Sequence, residues 1–113
     1  MMIKETSKLL TWCYNHPIKS LKYHKTEVLS VNFERKEVTF RHDRWLTKNT
    51  ARAMSFGLAR FLHRDIAVKH ECNKHTHGKN RLTITFRGEI SNLILCPIAM
   101  SHTFTFKELG IES

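Results

Sequence analysis

The sequence predicts an α+β fold in which two helices pack on one face of an antiparallel sheet built from two β-hairpins, in the order α-β-β-α-β-β with a β-like C-terminal segment. Two stretches repeat apolar residues at helical spacing, two others alternate apolar and polar residues with period two, and Gly and Pro together number only six of 113. Hydrophobic residues make up 41% of the chain, enough for one core and too much for a disordered chain, so a single domain over residues 1–113 is expected.

The first predicted helix runs from Thr6 to His16. Thr6 or Ser7 can cap it, Leu9, Leu10, Cys13 and Tyr14 recur at helical spacing, and Pro17 ends it by forcing the preceding residue out of the α region. From Thr26 the period changes to two. Leu29, Val31 and Phe33 alternate with Ser30 and Asn32, then Val38 and Phe40 with Thr39 and Arg41, which predicts a hairpin turning at Arg35-Lys36. That turn pairs Phe33 with Val38 and Val31 with Phe40 on one half-buried face, although neither turn residue favours positive φ.

Asn49 to His63 carries the clearest helical signal, an apolar stripe of Ala51, Met54, Leu58, Phe61 and Leu62, with Arg52, Ser55 and Arg60 largely off it. Thr47, Asn49 or Thr50 supplies the cap. Gly57 in mid-helix costs about 1 kcal/mol relative to Ala, which implies that the helix backbone lies close against a sheet or a partner. A second hairpin follows, with Ile66, Val68, His70 and Cys72 on one strand and Leu82, Ile84 and Phe86 on the other. A three-residue loop Thr76-His77-Gly78, with Gly78 left-handed, pairs Cys72 with Leu82, His70 with Ile84 and Val68 with Phe86. Leu93 to Ile98 and Thr103 to Phe106 have strand composition, with Pro97 confining the first to an edge or a bend, and a helix-like fragment at Lys107 to Leu109 stops at Gly110.

The segment that leaves a polar hairpin, passes through Trp45-Leu46-Thr47-Lys48-Asn49-Thr50 into a short amphipathic helix and exits by a second hairpin resembles small uncharacterised phage-encoded proteins. Those share a strand, W-x-T-x-x-T, helix, β-hairpin layout. The resemblance covers about residues 26–87, implies a mobile-element origin, and brings no catalytic residues with it. This chain departs from the layout by its histidine-rich loop and its N-terminal helix.

Net charge is +9, and it is unevenly spread: residues 1–87 hold 18 Lys/Arg against 7 Asp/Glu, whereas residues 88–113 hold one lysine against three glutamates. Such a balance favours nucleic acid or an acidic protein as partner and puts the footprint outside the tail. Arg41, Arg44, Lys48 and Arg52 lie between the first hairpin and the helix start, and Lys69, Lys74, Lys79, Arg81 and Arg87 decorate the second hairpin, so these nine can neutralise phosphates. Trp45 or Tyr23 can stack on an unpaired base, against the commoner role of a tryptophan before a helix as a core or cap residue.

Other chemistries are less well served. His70-x-Cys72-x-x-His75-x-His77 holds zinc-type donors, yet strand alternation sends His70 and Cys72 to the core and leaves His75 and His77 at the turn, so no metal is expected. Glu34-x-Lys36, His42-Asp43 and His70-Glu71 supply fragments of a nuclease site in no recognised spacing, and no phosphate-binding glycine loop or nucleophile elbow is present. No stretch is apolar enough to span a membrane, no leader is expected, and Cys13, Cys72 and Cys96, odd in number and widely spaced, read as reduced thiols. The composite expectation is a cytoplasmic, non-enzymatic phage-type accessory protein without cofactor, binding nucleic acid through those residues. The alternative is a modulator of a host enzyme; a small metal- or histidine-dependent nuclease is third, and oligomeric state is left open.

Overall fold

The computed structural model describes residues 2–62, 65–72, 74, 78–95 and 98–111. It is mostly β. Among the described residues, strands β1 (Leu10–Cys13), β2 (Ile18–Tyr23), β3 (Thr26–Asn32) and β4 (Glu37–Arg41) precede one α-helix, α1 (Lys48–Leu62), and β5 (Ile66–Glu71), β6 (Arg81–Phe86), β7 (Glu89–Leu95) and β8 (Ser101–Thr105) follow it. Two antiparallel sheets result, one of five strands in the order β1-β2-β3-β4-β8 and one of three in the order β5-β6-β7. The expectation of two helices on a single sheet is therefore corrected to one helix and two sheets.

The first predicted helix is replaced by turns and β1, whose Leu10, Trp12 and Cys13 pair with Tyr23, Leu21 and Ser20 of β2. Leu10 and Trp12 also satisfy a period of two, and tertiary packing decides between the periods. Trp12 meets Phe61 of α1 edge-on at 5.6 Å, and the Arg60 guanidinium lies 4.4 Å from the Trp12 ring centroid. An isolated helix of eleven residues has no comparable support in water.

In both hairpins the facing is as expected and the register is two residues off. Val31 pairs with Val38 and Leu29 with Phe40, so the loop has four residues, Phe33 to Lys36. Asn32 causes this: its Oδ1 accepts the backbone N–H groups of Glu34 and Arg35 at 3.1 and 2.9 Å, an Asx turn that needs positive φ only at Lys36 (55°). A slip of two preserves alternation, and Leu29, Val31, Val38 and Phe40 are all fully buried. In the other hairpin Val68 pairs with Ile84 and His70 with Leu82. Cys72, expected in the core, is exposed beyond the ladder, and Glu71 is the buried residue there. Gly78 is left-handed (φ 74°) as its turn position requires, while Thr76 and His77 lie outside the described residues. Arg87 and Gly88, with φ of 52° and 83°, form the two-residue turn that starts β7 four residues earlier than composition indicated. Cys96 and Pro97 lie outside the described residues.

Helix α1 joins the two sheets. Thr47 caps it, its Oγ1 accepting the Thr50 N–H at 3.2 Å, and the buried stripe contains Ala51, Met54, Leu58 and Phe61 as expected. His63, the predicted last residue, lies outside the described residues. A Cβ at Gly57 would collide with the Leu29 side chain and come within 3.3 Å of Leu21 Cδ2, so this glycine does mark a close approach to a sheet. Two residues earlier, the Ser55 hydroxyl accepts the Val68 N–H (2.9 Å) and shares its one proton between the Ala51 (2.9 Å) and Val68 (3.1 Å) carbonyls, which covers the outer edge of β5 with a helix. At the other end of the chain, Thr105 and Glu108 exchange side-chain to backbone bonds, and left-handed Gly110 closes the following turn, burying Phe106, Leu109 and Ile111.

Gly57→Ala gains about 1 kcal/mol of helix propensity but forces crowding that costs about 1–3 kcal/mol in a filled core. The variant is expected to melt several degrees lower, and adding Leu29→Val, which shortens the obstructing side chain, is expected to recover part of the loss in the same calorimetric scan.

Candidate nucleic-acid interface

The site is assembled by the loop between β4 and α1. His42 is fully buried; its backbone N–H bonds the Met100 carbonyl at 2.9 Å, its Nδ1 accepts the Arg44 N–H at 2.8 Å, and its carbonyl accepts the Trp45 N–H at 2.7 Å. Asp43 and Arg44 are held at positive φ (46° and 68°), a cost on the order of 1 kcal/mol or more per residue that surrounding bonds must offset. The Asp43 carboxylate supplies two of them, accepting from Arg41 Nε at 2.7 Å and Thr26 Oγ1 at 3.2 Å. The reversal turns the next side chains outward, and Trp45 is 66% exposed. Its core or cap role is thereby corrected: the indole stands in solvent.

Trp45 borders a largely apolar cleft of about 800 Å³. The tight β2–β3 turn lines the same cleft: His24, at positive φ (58°), has its ring centroid 4.4 Å from that of Tyr23, and Lys25 beside it is exposed. Thr47, Asn49 and Thr50 at the helix start line it as well. A second, shallower depression of about 350 Å³ is lined by Lys48, Lys69, His70, Glu71 and Cys72. Since Thr47 lines the first and Lys48 the second, the two hollows flank the first turn of α1.

The ten residues predicted from sequence separate into three groups. Arg44, Trp45, Lys48 and Lys69 are exposed around the helix start, and Lys74 and Lys79 are exposed beyond the end of β5. Arg41, Arg52 and Arg81 are committed to the fold: Arg41 pairs with Asp43, Arg52 donates to the Ile3 carbonyl (3.1 Å) and stacks on Phe56, and Arg81 pairs with Glu71 (3.2 Å). Arg87 lies at the far end of β6 from Arg81, about 20 Å away along the strand. His24 and Lys25 were missed, because nothing in their local sequence announces a turn until β2 is recognised as a strand.

Glu71 is the buried acid of the region. The Thr83 hydroxyl, donating at 2.7 Å, and then Arg81 hold its carboxyl below the usual value near 4.5, against the opposing effect of burial. For metals, no group of three or more His, Cys, Asp or Glu among the described residues is placed to hold an ion. His70 Nε2 bonds Asn80 Oδ1 (2.8 Å) and the Cys72 thiol donates to the Gly78 carbonyl (3.1 Å), while His75 and His77 lie outside the described residues. Glu34 and Lys36 sit in the Asn32-stabilised loop, exposed to solvent. Among the described residues no helix is long and apolar enough to cross a membrane. No protein-family model, curated protein or solved structure matches the chain.

Because Glu71 ionises more readily folded than unfolded, its contribution to stability is present above the unfolded carboxylate value and is lost as pH falls through the lower folded value. Thr83→Val removes the leading cause. Urea titrations from about pH 7 to about pH 2 are expected to show the variant roughly 1–2 kcal/mol less stable at neutral pH, with the two curves converging toward the acid end.

Proposed function

We propose that this chain is a small basic accessory protein of phage type that acts in the cytoplasm and binds nucleic acid through phosphate contacts, without catalysis. The observation that carries the reading is the meeting of Lys48 from the start of α1 with Lys69 from β5 at one depression, next to the exposed loop that bears Arg44. With a net charge of +9, a cationic patch of this kind attracts a polyanion and releases its counterions. Two carboxylates beside these cations, Glu71 in the same depression and Asp43 next to Arg44 in the chain, are bound into the fold, Asp43 by Arg41 and Thr26, Glu71 by Thr83 and Arg81, which argues for neutralising phosphate rather than cleaving it.

Fluorescence-anisotropy titration of duplex DNA, single-stranded DNA and structured RNA tests the reading. At ~50 mM salt binding is expected, with a steep loss by ~200 mM. Replacing Lys48 and Lys69 together by Ala is expected to reduce the slope of log affinity against log salt by about 1.4–1.8, the share of two phosphate contacts. Arg87→Ala, far from the patch, is expected to leave the slope unchanged. Absence of binding to all three at ~50 mM would overturn the proposal.

A second reading, docking on an acidic host protein, is favoured by a separate feature. β7 ends the three-stranded sheet and presents Ile90 and Ile94 on its solvent side, 49% and 39% exposed. That strand edge suits β-addition, and such binding would be abolished by Ile94→Lys.

A further inference from the structure

The aromatic cleft has no part in a contact limited to phosphates, yet it adjoins the lysine depression across a single peptide bond, Thr47 to Lys48. Trp45 leaves two thirds of its surface in water while lining a largely apolar hollow that Tyr23 and His24 also line. Covering an indole face is favourable, and the flat partner that arrives already joined to phosphate is a nucleobase. In a duplex both faces of each base are stacked, so only an unpaired strand can present one. Several polar groups lining the cleft are already used: the Thr47 hydroxyl bonds the Thr50 hydroxyl and N–H, Asn49 Oδ1 accepts the Ile3 N–H (3.0 Å), and His42 Nδ1 accepts the Arg44 N–H.

From this arrangement we infer that the site selects single-stranded nucleic acid, taking one unstacked base into the cleft against Trp45 while an adjoining phosphate rests on Lys48 and Lys69. The inference rests on the nucleic-acid reading above and adds the strandedness and the base contact. Because Asn49 Oδ1, His42 Nδ1 and the Thr47 hydroxyl are engaged within the fold, the base is held chiefly by stacking, a contact every base can make.

Trp45 and Trp12 are the two tryptophans of the chain, so Trp12→Phe leaves Trp45 as the sole indole reporter and retains a ring at position 12. This variant is titrated at ~50 mM salt with oligothymidylate, a duplex of equal length, and an abasic deoxyribose-phosphate oligomer. Oligothymidylate is expected to quench Trp45 emission and to bind more tightly than the abasic oligomer. Trp45→Ala in the otherwise unaltered chain is expected to weaken oligothymidylate binding about 5- to 100-fold, the worth of one stacked base, and to leave abasic binding unchanged. With 5-fluorotryptophan in the unsubstituted chain, the Trp45 fluorine line moves on binding and the Trp12 line does not. Equal binding of oligothymidylate and the abasic oligomer, or preference for the duplex without quenching, overturns the base cleft and leaves the phosphate reading standing. No binding to any of the three overturns that reading as well.

Discussion

Helix α1 touches both sheets within one turn, and the rest of the molecule is arranged around that double contact. Gly57 lets its backbone lie against Leu21 and Leu29 of the five-stranded sheet, and Ser55 hydrogen-bonds both backbone groups of Val68 on the edge of the three-stranded sheet. A bulkier residue at the first position or an apolar one at the second would separate one sheet from the helix. The contact also fixes where the helix begins, and with it the position of the Thr47 cap, of Lys48 against Lys69, and of the cleft that Trp45 and the β2–β3 turn line. The candidate interface is thus a by-product of how the core closes.

The cations divide by chemistry as well as by place. Every ion pair among the described residues uses an arginine: Arg35 with Glu37, Arg41 with Asp43, Arg60 with Glu5, and Arg81 with Glu71. Arg60 does more, bonding Tyr14 and lying over Trp12. A planar guanidinium can grip a carboxylate and stack on a ring at once, whereas an ammonium on a flexible stem does neither as well and stays hydrated. Arginines accordingly tie the structure together, and the lysines at the candidate interface, Lys25, Lys48 and Lys69, are exposed.

Much of this was legible in the sequence where a local repeating pattern sufficed to settle the matter. The α1 stripe and the close approach at Gly57 could be read because a helix carries its own periodicity, while the cap was narrowed to Thr47, Asn49 or Thr50 and the fold selects Thr47. The inward faces of both hairpins could be read for the same reason, since alternation is a local property. Register could not, because it was set by the Asn32 side chain bonding backbone two and three residues ahead, in a loop whose other members look indifferent. β1 was mistaken for a helix because Leu9, Leu10, Cys13 and Tyr14 fit a helical spacing, and the tie was broken by Phe61 and Arg60 almost fifty residues away. β2 was invisible because its inward face includes Lys19, whose ammonium lies over the Phe33 ring. At the site, the cations were found as a population, but which were spoken for depended on Asp43, Glu71 and the Ile3 carbonyl, partners that only the fold brings near.

The N-terminal strap carries a consequence for the order of assembly. Ile3 bonds Asn49 and Arg52 near the start of α1, and Glu5 bonds Arg60 near its end, contacts separated by 46 to 55 positions in the chain. Closing so large a loop is entropically costly until the helix is in place to receive it. At synthesis rates of ~5–20 residues per second, Ile3 and Glu5 wait roughly 2–11 s for these partners to be made. Through that interval Trp12 lacks Phe61 and Arg60 to pack against, so a segment made well before α1 is among the last to find its place, and whatever shields it in the meantime governs how much of the protein reaches this fold.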